Sequence, residues 1–309
     1  NAYFTIYLTG TVFALMSTGM NQFIICQGFA KTGMYSVIIG AVLNIVLDPV
    51  FIFGFHMGVS GAATATVLSQ TASCAFVLKT LFGKTVPVRI TFGGYDWRLI
   101  RRILTIGFTP FIIIAMDNVM IITMNAILQK YGGAARGDLL ITCATIAQSF
   151  MLVVTMPLGG ITSGTQAVLA YNFGAGNTDR VKGAQKYIFI LAAAYTTLLF
   201  ILARTVGGLF VRLFTSDPTV AAEALRAIRI FTLAIIPLAF QYEIVDGFTG
   251  LGQVQVALPL SFFRKGLYFV SLFLLPAMFG AEAAFFAEPV SDIAGPVVSA
   301  IVYIVSMKG

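Results

Sequence analysis

The sequence is dominated by apolar stretches of about 20 residues or more, the length that an α-helix needs to cross the hydrocarbon core of a bilayer. We identify nine stretches, which are too long for barrel strands and do not alternate polar with apolar residues. They cover residues 3–26, 33–54, 59–82, 100–128, 138–165, 184–211, 225–249, 256–279 and 284–306. The sequence therefore predicts an all-α, polytopic membrane protein with nine transmembrane helices.

The composition supports a membrane protein and argues against several other classes. Hydrophobic residues make up 58% of the 309-residue chain and charged residues 10%, whereas soluble domains have about 45–50% and about 25%. Such a chain has too little polar surface for a soluble enzyme, a nucleic-acid-binding protein or a disordered scaffold. The three cysteines are isolated in apolar stretches and there is one histidine, so no metal-ligand motif is formed. Membrane lipid is the expected surrounding.

The net charge of +7 is interpreted as loop charge that orients the helices. When the nine spans are numbered in order, the connections after the odd spans share one side, which receives 13 of the 19 lysine and arginine residues. Arg264 and Lys265 are counted on this side, next to the seventh connection. This distribution predicts that the first side and the C-terminus are cytoplasmic.

A weak internal repeat relates the two ends of the chain. With a shift of 222 residues, Gly58 and Ser69 fall on Gly280 and Ser291, and spans one to three correspond to spans seven to nine. Spans four to six have no partner, which would lie about 125 residues before residue 1, so we expect three further helices and twelve in all. Chance similarity among apolar helices is the alternative.

This arrangement defines the expected domains. Residues 1–82 form a partial N-lobe of three helices, and residues 100–309 form a C-lobe of six. Between them, residues 83–99 form a cytoplasmic linker. The chain begins inside an apolar run without a signal peptide, which we interpret as N-terminal truncation.

Polar residues inside the predicted spans are the candidates for function. An ionisable group at membrane depth costs free energy, so its presence usually indicates a function. Asn44 and Asp48 are four residues apart and share one helix face. Pro49 has no N–H group and leaves the carbonyl of Ile45 without its helical donor. The Asp48 carboxylate, the Asn44 amide oxygen and the freed Ile45 carbonyl can together bind Na⁺ or hold a transferable proton. The alternative is a structural carboxylate at a helix kink.

Carboxylates also recur in the predicted C-lobe, where they would attract a cation if they faced one cavity. The candidates are the carboxylates Asp117, Asp246 and Glu288 together with the phenol of Tyr242. Tyr242 and Asp246 share a helix face, whereas Glu243 is turned away by about 100°. Some of these groups could instead be hydrated near an interface. We find only one basic residue, Arg204, well inside a predicted span, which favours cationic substrates.

The sequence resembles the multidrug and toxic compound extrusion (MATE) family, and most closely its DinF-like and MepA-like bacterial branch. The resemblance covers the whole chain. Its motifs are Asn44–Gly54, Met57–Gln70, Met156–Gln166, Tyr171–Asn177, Phe263–Gly266 and Glu288–Asp292. It implies a twelve-helix, two-lobed exporter of which this chain holds helices four to twelve.

The resemblance also implies roles for individual residues. Asn44, Asp48 and Thr66 match an N-lobe cation-coupling site, with Na⁺ possible at Asp48. Tyr242, Asp246 and Asp117 match a C-lobe site. The expected protein is a monomeric antiporter of the bacterial inner membrane. It would export organic cations or other amphiphilic molecules in exchange for Na⁺ or H⁺, without another cofactor.

Three other functions are considered. A flippase for a lipid-linked or metabolite substrate would favour a cavity rich in arginine. An intramembrane aspartyl protease needs a GxGD motif, which the sequence lacks, and its Tyr95-Asp96 pair lies in a loop; we expect no enzyme. Because the chain lacks three expected helices, an inactive truncated transporter is the third alternative, and these residues alone are not expected to transport.

Overall fold

The computed structural model describes residues 2–306, which are almost entirely helical and contain no strand. The α-helices are α1 Ala2–Cys26, α2 Ala30–Pro49, α3 Gly58–Phe82, α4 Trp97–Gly174, α5 Thr178–Thr205, α6 Gly207–Arg212, α7 Pro218–Phe231, α8 Ile235–Gly250, α9 Val254–Phe279 and α10 Ala287–Ser306. A π-helix, Val50–Gly54, follows α2, and 3₁₀ turns Thr232–Ala234 and Ala281–Phe286 precede α8 and α10. The all-α prediction is confirmed.

Helix α4 has 78 residues but is interrupted at Gly133, whose φ of 65° and ψ of −175° are not helical. A φ in this range favours glycine because it has no Cβ. The two arms are separate candidate membrane spans, Phe111–Ala134 and Arg136–Gly174. Met124 from the first arm and Ala147 from the second are completely buried in the same hydrophobic core.

Eight segments among the described residues are long and apolar enough to cross a membrane. They correspond to the second through ninth predicted spans. Helix α1 has 25 residues, which is sufficient length at 1.5 Å per residue, but it is not one of the eight. Its sequence includes Thr9, Thr11, Asn21 and other polar residues. The predicted count of nine is therefore not confirmed.

The chain divides into two compact units, Asn1–Tyr95 and Asp96–Gly309. In the first, α1 packs mainly against α3, and Ile24, Val77 and Leu81 form a small core. In the second, α4 to α10 enclose a larger core. The division falls within residues 83–99.

Many large apolar side chains of both units are exposed on the helix surfaces. Examples are Val46, Leu198, Val270 and Ile301, each more than half exposed. Exposed apolar surface on this scale is unfavourable in water. The bilayer is therefore the appropriate solvent for these helix faces.

Three short connections of the second unit are joined by ion pairs at one end. Glu282, which precedes α10, accepts hydrogen bonds from Arg136 of α4 and from Arg226 of α7, the latter at 2.9 Å. Glu223 lies 3.8 Å from Arg136. We call these four residues the outer ion-pair cluster, because the sequence predicts their connections on the side opposite the cytoplasm. Their shared position agrees with the predicted alternation of the spans. The C-terminal residues 307–309, including Lys308, lie outside the described residues.

Candidate functional site

The first candidate site joins α2 and α3 within the first unit. The amide Nδ2 of Asn44 donates to Asp48 Oδ1 at 3.3 Å and to Thr66 Oγ1 at 3.4 Å. All three side chains are half-buried. The structure thus brings together the three residues that the sequence selected as the cation-coupling set.

The local backbone explains how these groups are presented. Asn44 and Asp48 lie one turn apart on α2, and Pro49 ends that helix before the π-helix Val50–Gly54. Pro49 cannot donate to the Ile45 carbonyl, and π-helical turns frequently mark functional sites. The result is a carboxylate beside a wide helical turn.

A cation at this site would be bound by oxygen atoms, as Na⁺ requires. Asp48 supplies a carboxylate and Thr66 a hydroxyl. The assigned amide orientation directs the Asn44 nitrogen toward them, but nitrogen and oxygen of an amide are placed by the hydrogen-bond network. A half-turn of the amide would direct its oxygen to a bound cation.

Gln70 is an additional candidate that the sequence prediction did not select. It follows Thr66 by one turn of α3, and its Oε1 is buried without a hydrogen-bond partner among the described residues. Buried acceptors are usually satisfied, so this oxygen is available to a bound cation or water. Its spacing from Thr66 was the sequence signal that could have found it.

The second candidate site consists of two cavities in the second unit. One has a volume of about 400 Å³ and lies among α4, α8 and α9. The other, of about 380 Å³, is lined by residues of α4, α7, α8, α9 and α10. Asp117, Tyr242 and Arg264 line both cavities. We call the pair the C-terminal cavities.

The four predicted residues of the second unit all line these cavities. Asp117, Tyr242 and Asp246 line the first cavity, and Asp117, Tyr242 and Glu288 line the second. Thr162 donates a hydrogen bond to Asp246 Oδ2, so a neutral group holds this carboxylate. Glu243 is 1% exposed, and its Oε1 has no hydrogen-bond partner among the described residues.

Two basic residues of α9 correct the sequence interpretation. Arg264 and Lys265 were assigned to the cytoplasmic connection, but they lie ten and eleven residues after Val254, the first residue of α9. Arg264 Nη1 lies 2.7 Å from Asp292 Oδ1, and Lys265 pairs with Asp117. The prediction that Arg204 is the only base well inside a span was therefore wrong. Without Arg264 and Lys265, the predicted cytoplasmic side still carries the excess of basic residues.

Gly295 is a requirement of the Arg264–Asp292 pair. A Cβ atom added to Gly295 would lie 2.8 Å from Arg264 Cγ and 2.9 Å from its Cβ, which is too close for two carbon atoms. The absence of a side chain at Gly295 therefore lets the Arg264 stem pass between α9 and α10.

We expect Gly295→Ala to displace Arg264 and reduce stability by about 1–3 kcal/mol, the usual cost of overpacking. Chemical unfolding of the purified protein in detergent measures this loss. Gly266→Ala on α9 is the matched control, because a Cβ there would meet no heavy atom within 4 Å. Equal stability of both variants would contradict the packing argument.

The comparisons with known proteins agree with this architecture. The MatE family model matches residues 114–274, a little over half of the chain. The multidrug export protein MepA of Staphylococcus aureus (strain MSSA476) is 24% identical over 282 residues, which are 90% of this chain and 61% of MepA. The chain thus spans less than two thirds of the length of its curated relatives.

Solved structures show the same fold. A multidrug resistance MATE family transporter in an outward-facing conformation has a TM-score of 0.89 at 21% identity, covering 99% of this chain and 69% of the transporter. A MOP superfamily transporter from Pyrococcus furiosus has a TM-score of 0.90 at 21% identity, covering 100% of this chain and 70% of the other. Because the family model covers more than half of the chain, the chain belongs to the MatE family.

Proposed function

We propose that the protein exports organic cations or other amphiphilic molecules in exchange for Na⁺ or H⁺, by alternating exposure of its binding sites to the two sides of the bacterial inner membrane. The observation that carries this proposal is the half-buried Asn44–Asp48–Thr66 cluster within apolar helices. Placing a carboxylate within membrane-spanning helices costs free energy, so such a residue usually has a function. The similarity to MepA supports drug-like substrates.

The mechanism begins with a cation at Asp48. The cation neutralises the carboxylate and changes which helix packing is favoured, which releases the bound molecule. When the cation leaves on the other side, the charged site favours the packing that binds substrate. By linkage, cation and substrate then weaken each other's binding by the same factor.

The C-terminal cavities supply the proposed substrate site. Asp117, Asp246 and Glu288 line them together with Arg264 and Lys265, so carboxylates outnumber basic groups. The aromatic rings of Phe231, Tyr242 and Tyr268 line the second cavity, and such rings bind cations over their faces. An amphiphilic cation fits this combination of charge and apolar surface.

A flippase for an anionic lipid precursor is a weaker candidate. It would need cavity cations that are free to bind phosphate groups. Both cavity bases of the described residues, Arg264 and Lys265, are paired with carboxylates. The cavity chemistry therefore favours cationic over anionic substrates.

Transport in proteoliposomes tests the coupling. The protein, expressed from its complete reading frame, is reconstituted, and movement of a fluorescent organic cation is followed under an imposed Na⁺ gradient and then an imposed proton gradient. We expect at least one gradient to drive transport against the substrate gradient. Equal rates with and without both gradients would refute antiport.

A further inference from the structure

Lys265 and Asp117 differ sharply in their access to the C-terminal cavities. Lys265 has a side chain only 2% exposed, whereas that of Asp117 is 49% exposed. The Lys265 ammonium donates to Asp117 Oδ1 and, at 2.8 Å, to the backbone carbonyl of Ile113. The carboxylate therefore faces the cavities while its counterion approaches it from within the protein.

In the neighbouring ion pair the carboxylate is the less accessible member. Asp292 is completely buried and the Arg264 side chain is 12% exposed. A molecule in the cavity can touch the guanidinium but cannot reach its carboxylate. Of the two pairs on α9, only the Lys265–Asp117 pair presents a carboxylate that an entering cation can contact.

We propose that Lys265 is a tethered counterion that occupies Asp117 in the empty cavity and is displaced from it by a cationic substrate. This inference rests on the proposed function and assigns a specificity-determining residue to its substrate site. A cation that contacts Asp117 competes with the ammonium for this carboxylate. The site therefore selects substrates that gain additional free energy from burying apolar surface.

Displacement does not leave the ammonium without partners. Its hydrogen bond to the Ile113 carbonyl does not involve Asp117. The chemical class that fits is a lipophilic cation with delocalised charge and aromatic surface, because Phe231, Tyr242 and Tyr268 line the adjoining cavity. Small hydrated cations gain no apolar burial and compete poorly.

If Lys265 and Asp117 formed only a structural ion pair, a different effect on cation binding would be expected. Removing the base would then leave an unpaired carboxylate and destabilise the protein without strengthening cation binding. In the tethered-counterion model, removing the base frees Asp117 for the substrate. The two models therefore differ in whether cation affinity increases when Lys265 is removed.

Binding of tetraphenylphosphonium to the purified protein, measured by isothermal titration calorimetry in detergent, tests the model. We expect Lys265→Met to bind this cation roughly tenfold more tightly, because charged hydrogen bonds contribute on that scale. Tetraphenylborate has nearly the same size and shape but the opposite charge, and the variant should bind it no more tightly. Lys130→Met removes an exposed lysine that lies over the Tyr131 ring and should bind both probes like the wild type.

Further variants separate the inference from the proposed function. Lys265→Gln retains a donor for Asp117 and replaces Lys265→Met if that variant does not fold. Asp117→Asn combined with Lys265→Met neutralises both members and should remove the gain in cation affinity.

Unchanged or weaker cation binding in both Lys265 variants would overturn the inference, as would equal tightening for the two probes. Absence of tetraphenylphosphonium binding in the wild type and all variants would instead overturn the proposed cationic substrate class and the inference with it.

Discussion

Asp48→Asn is expected to abolish gradient-driven efflux while leaving the fold intact. The amide keeps the size of the carboxylate and can still hydrogen-bond with Asn44, which lies 3.3 Å from Asp48 Oδ1. It has no negative charge to hold Na⁺ and does not accept a proton near neutral pH. Loss of a charged interaction of about 2 kcal/mol weakens cation binding by roughly 30-fold. Proteoliposomes with each imposed gradient measure the effect.

The control for Asp48→Asn removes a carboxylate elsewhere. Asp179→Asn changes an exposed residue in the first turn of α5, and its gradient-driven efflux should remain close to that of the wild type. Thermal unfolding of both variants in detergent establishes that they are folded. Efflux by Asp48→Asn at the wild-type rate would refute the coupling role of this carboxylate.

Arg264→Met is expected to produce the largest loss of stability, about 3–5 kcal/mol. The substitution retains the apolar stem but leaves Asp292, which is 0% exposed, without its cationic partner. The second carboxylate oxygen of Asp292 already lacks a hydrogen-bond partner among the described residues. Chemical unfolding in detergent at neutral pH measures the loss.

Two variants show whether the buried charge causes this effect. Arg264→Met combined with Asp292→Asn removes both charges and should recover much of the lost stability, because neutralised pairs are far less costly to bury. Arg226→Met breaks an exposed pair with Glu282 and should cost less than about 1 kcal/mol. Similar losses for Arg264→Met and Arg226→Met would contradict the assigned importance of burial.

The membrane helices and the first-unit site could be predicted because their signals are local. Hydrophobic length predicted nine spans, and eight of them correspond to candidate spans of the described residues, whereas α1 does not. Asn44 and Asp48 are separated by one turn, so helical periodicity alone placed them on one face. Thr66 was added by resemblance, and the structure places it 3.4 Å from Asn44. Gln70 lies one turn from Thr66, but only the structure shows that its buried Oε1 has no hydrogen-bond partner among the described residues.

The ion pairs of α9 could not be predicted in the same way. Lys265 meets a partner 148 residues earlier in the chain, and Arg264 meets one 28 residues later. Sequence patterning assigned both bases to a membrane surface because basic residues usually lie in connections. Their burial depends on tertiary packing, including the space beside Gly295 that admits the Arg264 stem.

The outer ion-pair cluster makes the protein's response to salt different on its two sides. Its four side chains are 25–59% exposed, so dissolved ions screen them, whereas the buried Arg264–Asp292 pair is shielded from that effect. Concentrated salt added only to the predicted outer face should loosen the connections of the second unit and leave its interior charges intact. The same salt on the other face meets no equivalent ion-pair cluster among the described residues. Comparing the effect of salt added to each face of a reconstituted membrane should therefore indicate the orientation of the protein.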